Sequence, residues 1–155
     1  MSVSERLAEL GVELPGVVPP VAAYIPAKRH GDLVYTSGQL PMVQGSLPAT
    51  GKVGEADGLV SPADAKTYAR QCALNALAAA ASLVGGVDHI TGVLKITGFV
   101  ASVPEFTGQP GVINGASEFL GEVFGEAGAH ARSAVGVPVL PLDSPVEVEV
   151  VFAVA

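Results

Sequence analysis

The stretch SPADAKTYARQCALNALAAAASLVGG, residues 61–86, constrains this chain more than any other. Ser61 is placed to cap a helix, Pro62 suits the first helical position and Asp64 the first turn, and Gly85-Gly86 ends the run. Positions 65, 69, 72, 76, 80 and 83 are all apolar at helical spacing, and all but Leu83 are small. A small-residue face lets a helix lie close against a sheet, so this face is read as core and not as a site. Residues 76–87 are broken by Ser82 and the glycine pair, and fall short of the roughly 18–20 apolar residues that a membrane span needs.

The flanking segments supply the sheet. Strands are expected at 21–27 and 33–40, joined by a turn at KRHGD (28–32) in which Gly31 and Asp32 are suitable turn residues. Residues 92–103, 132–140 and 145–154 read as three more strands. Residues 108–128 read as a second long helix, with Val112, Ala116, Phe119, Leu120, Val123 and Phe124 toward the core and Glu118, Glu122 and Glu126 in solvent. The order is β-β-α-β-α-β-β, and each helix between strands suggests a crossover, so a mixed sheet with both helices on one face is expected. At the N-terminus, SVSERLAEL reads as a short amphipathic helix with a Ser2/Glu5 capping box and Val3, Leu7 and Leu10 on one face. The expected division is that helix with its proline-punctuated connector (1–20), then a single domain (21–155) in which residues 44–60 form a loop.

Two helices on one face leave the opposite face of the sheet bare. The chain is 49% hydrophobic and 15% charged, more apolar than a 155-residue monomer needs, and the surplus is read as subunit interface. The formal net charge is −7, aromatics make up 5%, and Lys28-Arg29 is the only basic pair. The phosphate attraction and base stacking used by nucleic-acid binders are therefore both missing, and neither a nucleic-acid nor a membrane partner is expected. The start MSVSERLAEL lacks the basic-then-apolar progression of a secretory signal, and the lone Cys72 cannot form an internal disulfide. Cys72 reads as a buried, inert thiol, and the expected compartment is the cytoplasm.

Among the residues that could carry chemistry, Arg132 is one of four arginines and stands between alanines at the start of an apolar strand. A guanidinium stays charged and presents a planar fork that matches a carboxylate. Partly desolvated, it needs an anion, and the residues alone leave open whether that is a glutamate of the chain or a ligand. Glu147 and Glu149 fall on one face of VEVEV. Glu149 reads as solvent-facing, whereas Glu147, in a cleft with Arg132, would orient or deprotonate a water. Ser37 and Gly38 close a strand in VYTSGQLP, and Tyr24, Asn114 and His130 read as ordinary by themselves, His130 as a flanking surface residue. No His/Cys spacing suits a metal, and no phosphate loop or GxSxG elbow occurs, so metal, nucleotide and serine-hydrolase readings fail and no cofactor is expected.

Two motifs carry a resemblance. ARSAVGVPVLPLDSPVEVEV (131–150) resembles the C-terminal signature of the Rid family (YjgF, reactive intermediate deaminases), in which Ala-Arg-Ser leads into a strand, a Leu-Pro, a short turn and an apolar-Glu-apolar strand. LVYTSGQLP (33–41) resembles that family's N-terminal motif, about a hundred residues upstream, and the likeness covers roughly residues 20–154. It implies an α/β, chorismate-mutase-like fold, a mixed six-stranded sheet with two helices packed on one face, assembled as a homotrimer with sites in the clefts between subunits.

The same resemblance implies hydrolysis of reactive enamines and imines, such as 2-aminoacrylate and 2-iminopropionate, to a 2-keto acid and ammonia. By position, the carboxylate-binding arginine falls on Arg132 and the water-orienting glutamate on Glu147. Tyr24, Ser37 and Gly38 fall on site positions, as does Asn114 with a one-residue length difference. Ala134 stands where many members have a cysteine, but still offers the backbone N–H used for the substrate carboxylate. The N-terminal helix and the longer loop after TSGQLP resemble a subgroup of less settled reaction. Some members have been called endoribonucleases, against which the acidic, aromatic-poor composition argues. The rivals are a non-catalytic module that captures a small carboxylate or keto acid, and a structural trimer in which Arg132 makes a plain ion pair.

Overall fold

In the computed structural model, which describes residues 1–155, the end signals of the alanine-rich helix act as their chemistry requires. Ser61 Oγ accepts the Asp64 N–H at 3.1 Å and Gly85 adopts the left-handed conformation (φ 84°), so α2 spans Pro62–Val84. Ala65, Ala69, Cys72, Ala76 and Ala80 are fully buried, while Leu83, expected on the same face, is 44% exposed. The second long helix, α3 (Gln109–Phe124), packs on α2 at very short range. A Cβ on Gly115 would stand 1.9 Å from the Lys66 carbonyl oxygen, so only glycine permits this approach. Near the N-terminus, α1 (Val3–Glu9) carries the expected capping box between Ser2 and Glu5. Its Arg6 Nε donates to the Glu122 carbonyl of α3 at 2.8 Å, and Leu7 is buried.

The strands are β1 (Ala27–His30), β2 (Leu33–Thr36), β3 (Ile90–Ala101), β4 (Ala131–Val137) and β5 (Val146–Val154), in the order β1-β2-β5-β3-β4. β3 and β4 are parallel, with α3 as their crossover, and every other pair is antiparallel, which gives the expected mixed sheet. Alternation sorts β5 cleanly: Val146, Val148, Val150, Phe152 and Val154 are buried, and Glu147, Glu149, Val151 and Ala153 face the other way. Both helices cover the buried face. Cys72 of α2 reaches the Val146 carbonyl, and a Cβ on Gly98 of β3 would come within 2.4 Å of Ile113 in α3. The opposite face is uncovered in the single chain, with Tyr35 48%, Leu94 44% and Val135 44% exposed.

Several expectations are corrected. The sheet has five strands instead of six, and the chain has three α-helices, two of them on the sheet. The first strand begins at Ala27, not at 21: Pro19, Pro20 and Pro26 lack the N–H that a ladder needs, so residues 21–26 run irregularly ahead of it. Lys28, Arg29 and His30 belong to β1, and the turn shrinks to Gly31 (φ 59°) and Asp32. β2 ends at Thr36, after which Gln39 alone re-pairs with Val148. β4 is an edge strand, partly exposed along its length, and stops before Pro138. Residues 125–128 form a 3-10 turn instead of a last turn of α3. No helix is long and apolar enough to cross a membrane.

Candidate active site

Arg132 lies at the start of β4 opposite Ile96 of β3, on the face covered by the helices. Its Nη1 donates to Asn114 Oδ1 at 2.8 Å and to Ser117 Oγ at 3.3 Å, and its Nη2 donates to the Pro110 carbonyl at 3.3 Å. All three acceptors belong to α3 and all are neutral. The three ion pairs of the chain, Arg6–Glu9, Lys52–Asp143 and Lys66–Glu118, do not involve it. The internal salt bridge left open by the sequence is therefore not made. The guanidinium is oriented by dipoles while its charge has no anion within the chain, an arrangement suited to capturing a carboxylate. Ala134 follows two residues along the same edge strand, where one side of the backbone has no partner strand.

Ser117 and His130 were not legible as site residues, and the structure joins them to Arg132. His130 Nδ1 lies 2.6 Å from the Gly128 carbonyl oxygen, which places the ring proton on Nδ1. In the neutral ring Nε2 then accepts the Ser117 hydroxyl at 2.8 Å, leaving an Oγ lone pair for the arginine. His130 is thus half-buried and hydrogen-bonded at both nitrogens, not a free surface side chain. Helical spacing alone offered one signal: Asn114 and Ser117 are three apart, on one face of α3.

Glu147 sits elsewhere. It is opposite Phe99 of β3, on the uncovered face, and lines a cavity of about 440 Å³ with Tyr24, Ser37 and Gly38. Gly38 is there for room: a Cβ on it would stand 2.6 Å from Glu147 Oε1 and 2.8 Å from Cδ. Ser37 donates its hydroxyl to the Ile25 carbonyl at 2.6 Å, and its N–H goes to the Pro26 carbonyl, so it holds the segment that presents Tyr24. The Tyr24 hydroxyl accepts the Val21 N–H at 3.3 Å. Burial pushes the Glu147 carboxyl above its ordinary value, and the Glu149 charge adds to that. A carboxylate destabilised in its ionised form is a better proton acceptor than a free one.

Under the same strand, burial holds the Cys72 thiol well above its ordinary range, which leaves it an inert core group. A third residue that sequence reading passed over is Asn75, buried on α2 among alanines. Its Nδ2 donates to the carbonyls of Leu40 and Met42, both at 3.0 Å, and its Oδ1 accepts from Gln71. It fixes the chain just after TSGQLP, where Leu40 and Met42 form part of the cavity wall. A lone polar side chain in an alanine run was the available signal.

The seven residues singled out by the sequence thus fall into two groups within one chain: Arg132, Asn114 and Ala134 on one side, Glu147, Tyr24, Ser37 and Gly38 on the other.

Comparison with known proteins places this geometry in context. The family model described as "YjgF/chorismate_mutase-like, putative endoribonuclease" matches residues 4–154. Protein TCP17 of Trypanosoma cruzi is 37% identical over 148 residues, 95% of this chain and 91% of that protein. The crystal structure of Atu1372 from Agrobacterium tumefaciens superposes with a TM-score of 0.87 at 44% identity, covering 99% of this chain and 92% of that one. TdcF of E. coli, crystallised with bound serine, superposes with a TM-score of 0.62 at 25% identity, covering 91% and 93%.

Proposed function

This chain belongs to the YjgF/chorismate-mutase-like family, and from that premise we propose that it is a hydrolytic deaminase of reactive enamines and imines, of the 2-aminoacrylate or 2-iminopropionate type, releasing a 2-keto acid and ammonia. The observation that carries the reading is Arg132, a guanidinium aimed by three neutral acceptors and matched by no anion. The serine bound to TdcF, itself a small 2-amino carboxylate, supports a ligand of that size.

The two residue groups lie on opposite faces of one sheet, so the working site is proposed to form between copies of the chain. The bare face and the edge strand β4 supply the surface for a homotrimer. In that cleft Arg132, with the Ala134 N–H, holds the substrate carboxylate, Asn114 keeps the arginine in line, and the partner copy brings Glu147. Glu147 takes a proton from water as the oxygen attacks the imine carbon, and the nitrogen takes up a proton to give the carbinolamine. Collapse of the C–N bond with a proton to nitrogen releases ammonia, and loss of the hydroxyl proton leaves the 2-keto acid. Orientation and one activated water supply on the order of 10²–10⁴-fold, which suffices for an intrinsically labile substrate. No step calls on a metal or cofactor. The endoribonuclease part of the family description fits less well, given the net charge of −7 and the lack of a basic stripe.

The test is to generate 2-iminopropionate in situ and follow its decay with wild type, Arg132→Ala and Glu147→Gln. Faster decay with wild type alone, all three proteins keeping the same oligomeric state, supports the enzyme. Background decay with all three overturns it, and keto-acid binding by wild type alone then identifies a carboxylate-capturing module.

A further inference from the structure

Only one titratable side chain besides the arginine itself belongs to the hydrogen-bonded cluster around Arg132, and it is His130. Its Nε2 stands 2.8 Å from Ser117 Oγ, which stands 3.3 Å from Arg132 Nη1, so ring and guanidinium are on the order of 6 Å apart at most. While the ring is neutral it acts on the arginine only through that hydroxyl. A histidine takes up its second ring proton within about pH 5 to 8, and the cluster is built to accept one. Nδ1–H keeps the Gly128 carbonyl, Nε2–H becomes a donor to Ser117 Oγ, and the Ser117 hydroxyl turns its hydrogen away while Oγ still accepts from Nη1. Asn114 and the Pro110 carbonyl are untouched. One hydrogen bond reverses and none is lost. Protonation therefore changes the charge of the cluster and not the aim of the guanidinium.

From this geometry we propose that His130 makes carboxylate binding proton-linked: a small carboxylate held by Arg132 is bound together with a proton on His130, and each tightens the other. The inference rests on the reading of Arg132 as a carboxylate clamp and extends it from orientation to charge. In the protonated, empty site two cations stand side by side with no anion, and a bound carboxylate offsets both. The coupling is reciprocal, so the factor by which the proton strengthens carboxylate binding is the factor by which the carboxylate strengthens proton binding. The other charged groups on the elements around the ring do not supply that anion. On α3, Glu118 is paired with Lys66 at 2.9 Å and Glu122 is exposed, as is Glu126 of the 3-10 turn. On β3, Lys95 lies opposite Ala131 and alternates with the buried Ile96, which puts it on the uncovered face. On β4 the charged group is Arg132 itself. Across the proposed cleft stands Glu147 of the next copy.

The experiment measures pyruvate binding by calorimetry between about pH 8 and about pH 5.5, for wild type, Glu147→Gln and the double variant Glu147→Gln/His130→Gln. Pyruvate stays ionised throughout, and the Glu147→Gln background removes the titration of the one facing carboxylate. In wild type and Glu147→Gln, Kd is expected to fall about three- to tenfold on acidification. Runs in buffers of different ionisation enthalpy should show uptake of part of a proton on binding. The double variant is expected to lose both effects. If it does not fold, the ring signals of His130, one of three histidines, are followed by NMR in wild type, where bound pyruvate should move the midpoint of their titration to higher pH. A Kd in Glu147→Gln that does not change with pH overturns the proposal. Proton uptake that survives in the double variant, a midpoint that pyruvate leaves in place, or no pyruvate binding at any pH does the same. Turnover plays no part in these readouts, so proton-linked pyruvate binding by a protein that hydrolyses no imine supports the inference while the deaminase reading falls.

Discussion

Arg132 and Glu147 stand on opposite faces of a single sheet, the arginine opposite Ile96 under the helices and the glutamate opposite Phe99 on the uncovered side. No rotamer change brings them together within one chain, so a site that uses both draws them from different copies. Arg132→Ala and Glu147→Gln should therefore complement each other. Each variant alone is expected to be inactive toward 2-iminopropionate. Co-refolded at equal amounts, random mixing restores both groups to roughly a quarter of the sites, and activity should rise to about that fraction of wild type. Mixed samples that stay at background despite confirmed exchange of subunits would show that the two residues do not share a site.

Gly38 illustrates a steric requirement that is local to the chemistry. An added methyl would collide with the end of the Glu147 side chain, and that end is free to swing away. Gly38→Ala should thus displace the carboxylate more than it strains the backbone. The expected result is a fall in kcat/KM of ten- to a hundredfold, with a change in stability under about 1 kcal/mol. A thermal melt beside the kinetics separates this from unfolding.

The acid limb of activity follows from the charge pair on the uncovered face. Burial first, and Glu149 second, raise the Glu147 carboxyl above its ordinary 4.5. A base must be ionised, so activity should fall with decreasing pH at a point above that ordinary value. Glu149→Gln removes a like charge and should move the limb to lower pH. Stability runs the other way. With its folded value raised, Glu147 contributes most below the ordinary carboxylate value, and that contribution is lost as pH rises through the raised one. Glu147→Gln should then melt higher than wild type at neutral pH and show no such gain below pH 4.5.

Much of this arrangement was legible in the sequence, for physical reasons that can be named. Helix ends were readable because Ser61, Pro62 and the Gly85 turn act locally, and the faces of β5 were readable because VEVEV alternates without a break. The first strand was misplaced because residues 21–25 have strand-like side chains, yet the prolines around them cannot complete a ladder. Arg132 and Glu147 stood out as candidates in the sequence, but their relative placement depended on which β4 residue sits opposite Ile96, a register that no local pattern encodes. Ser117, His130 and Asn75 escaped because their partners are 15, 13 and 35 residues away or act through the backbone.

The Ser117–His130 pair offers a prediction with an internal control. Ser117→Ala removes one of the acceptors that aim Arg132 while Asn114 and Pro110 remain. KM for the imine should rise three- to tenfold with kcat little changed, the cost of one hydrogen bond to a charged group. His130→Phe acts only through that hydroxyl, so the double variant should be no worse than Ser117→Ala alone. Additive losses would mean that the histidine reaches the site by another route.

Asn75 couples the core to the cavity wall, and its removal should be felt in both. Asn75→Ala leaves the carbonyls of Leu40 and Met42 without their donor in a buried setting, at a cost of about 1–3 kcal/mol for each group left unpaired. The alanine face of α2 closes part of that gap by packing, so the chain should still fold, with a melting temperature several degrees lower. The wall formed by Leu40 and Met42 then has no fixed position relative to Glu147. In the proposed site the wall moves while Arg132 and Glu147 keep their places, so KM for 2-iminopropionate should rise with kcat little changed. The readout is the two constants measured well below the melting temperature. A KM equal to that of wild type in a destabilised variant would confine Asn75 to a purely structural part.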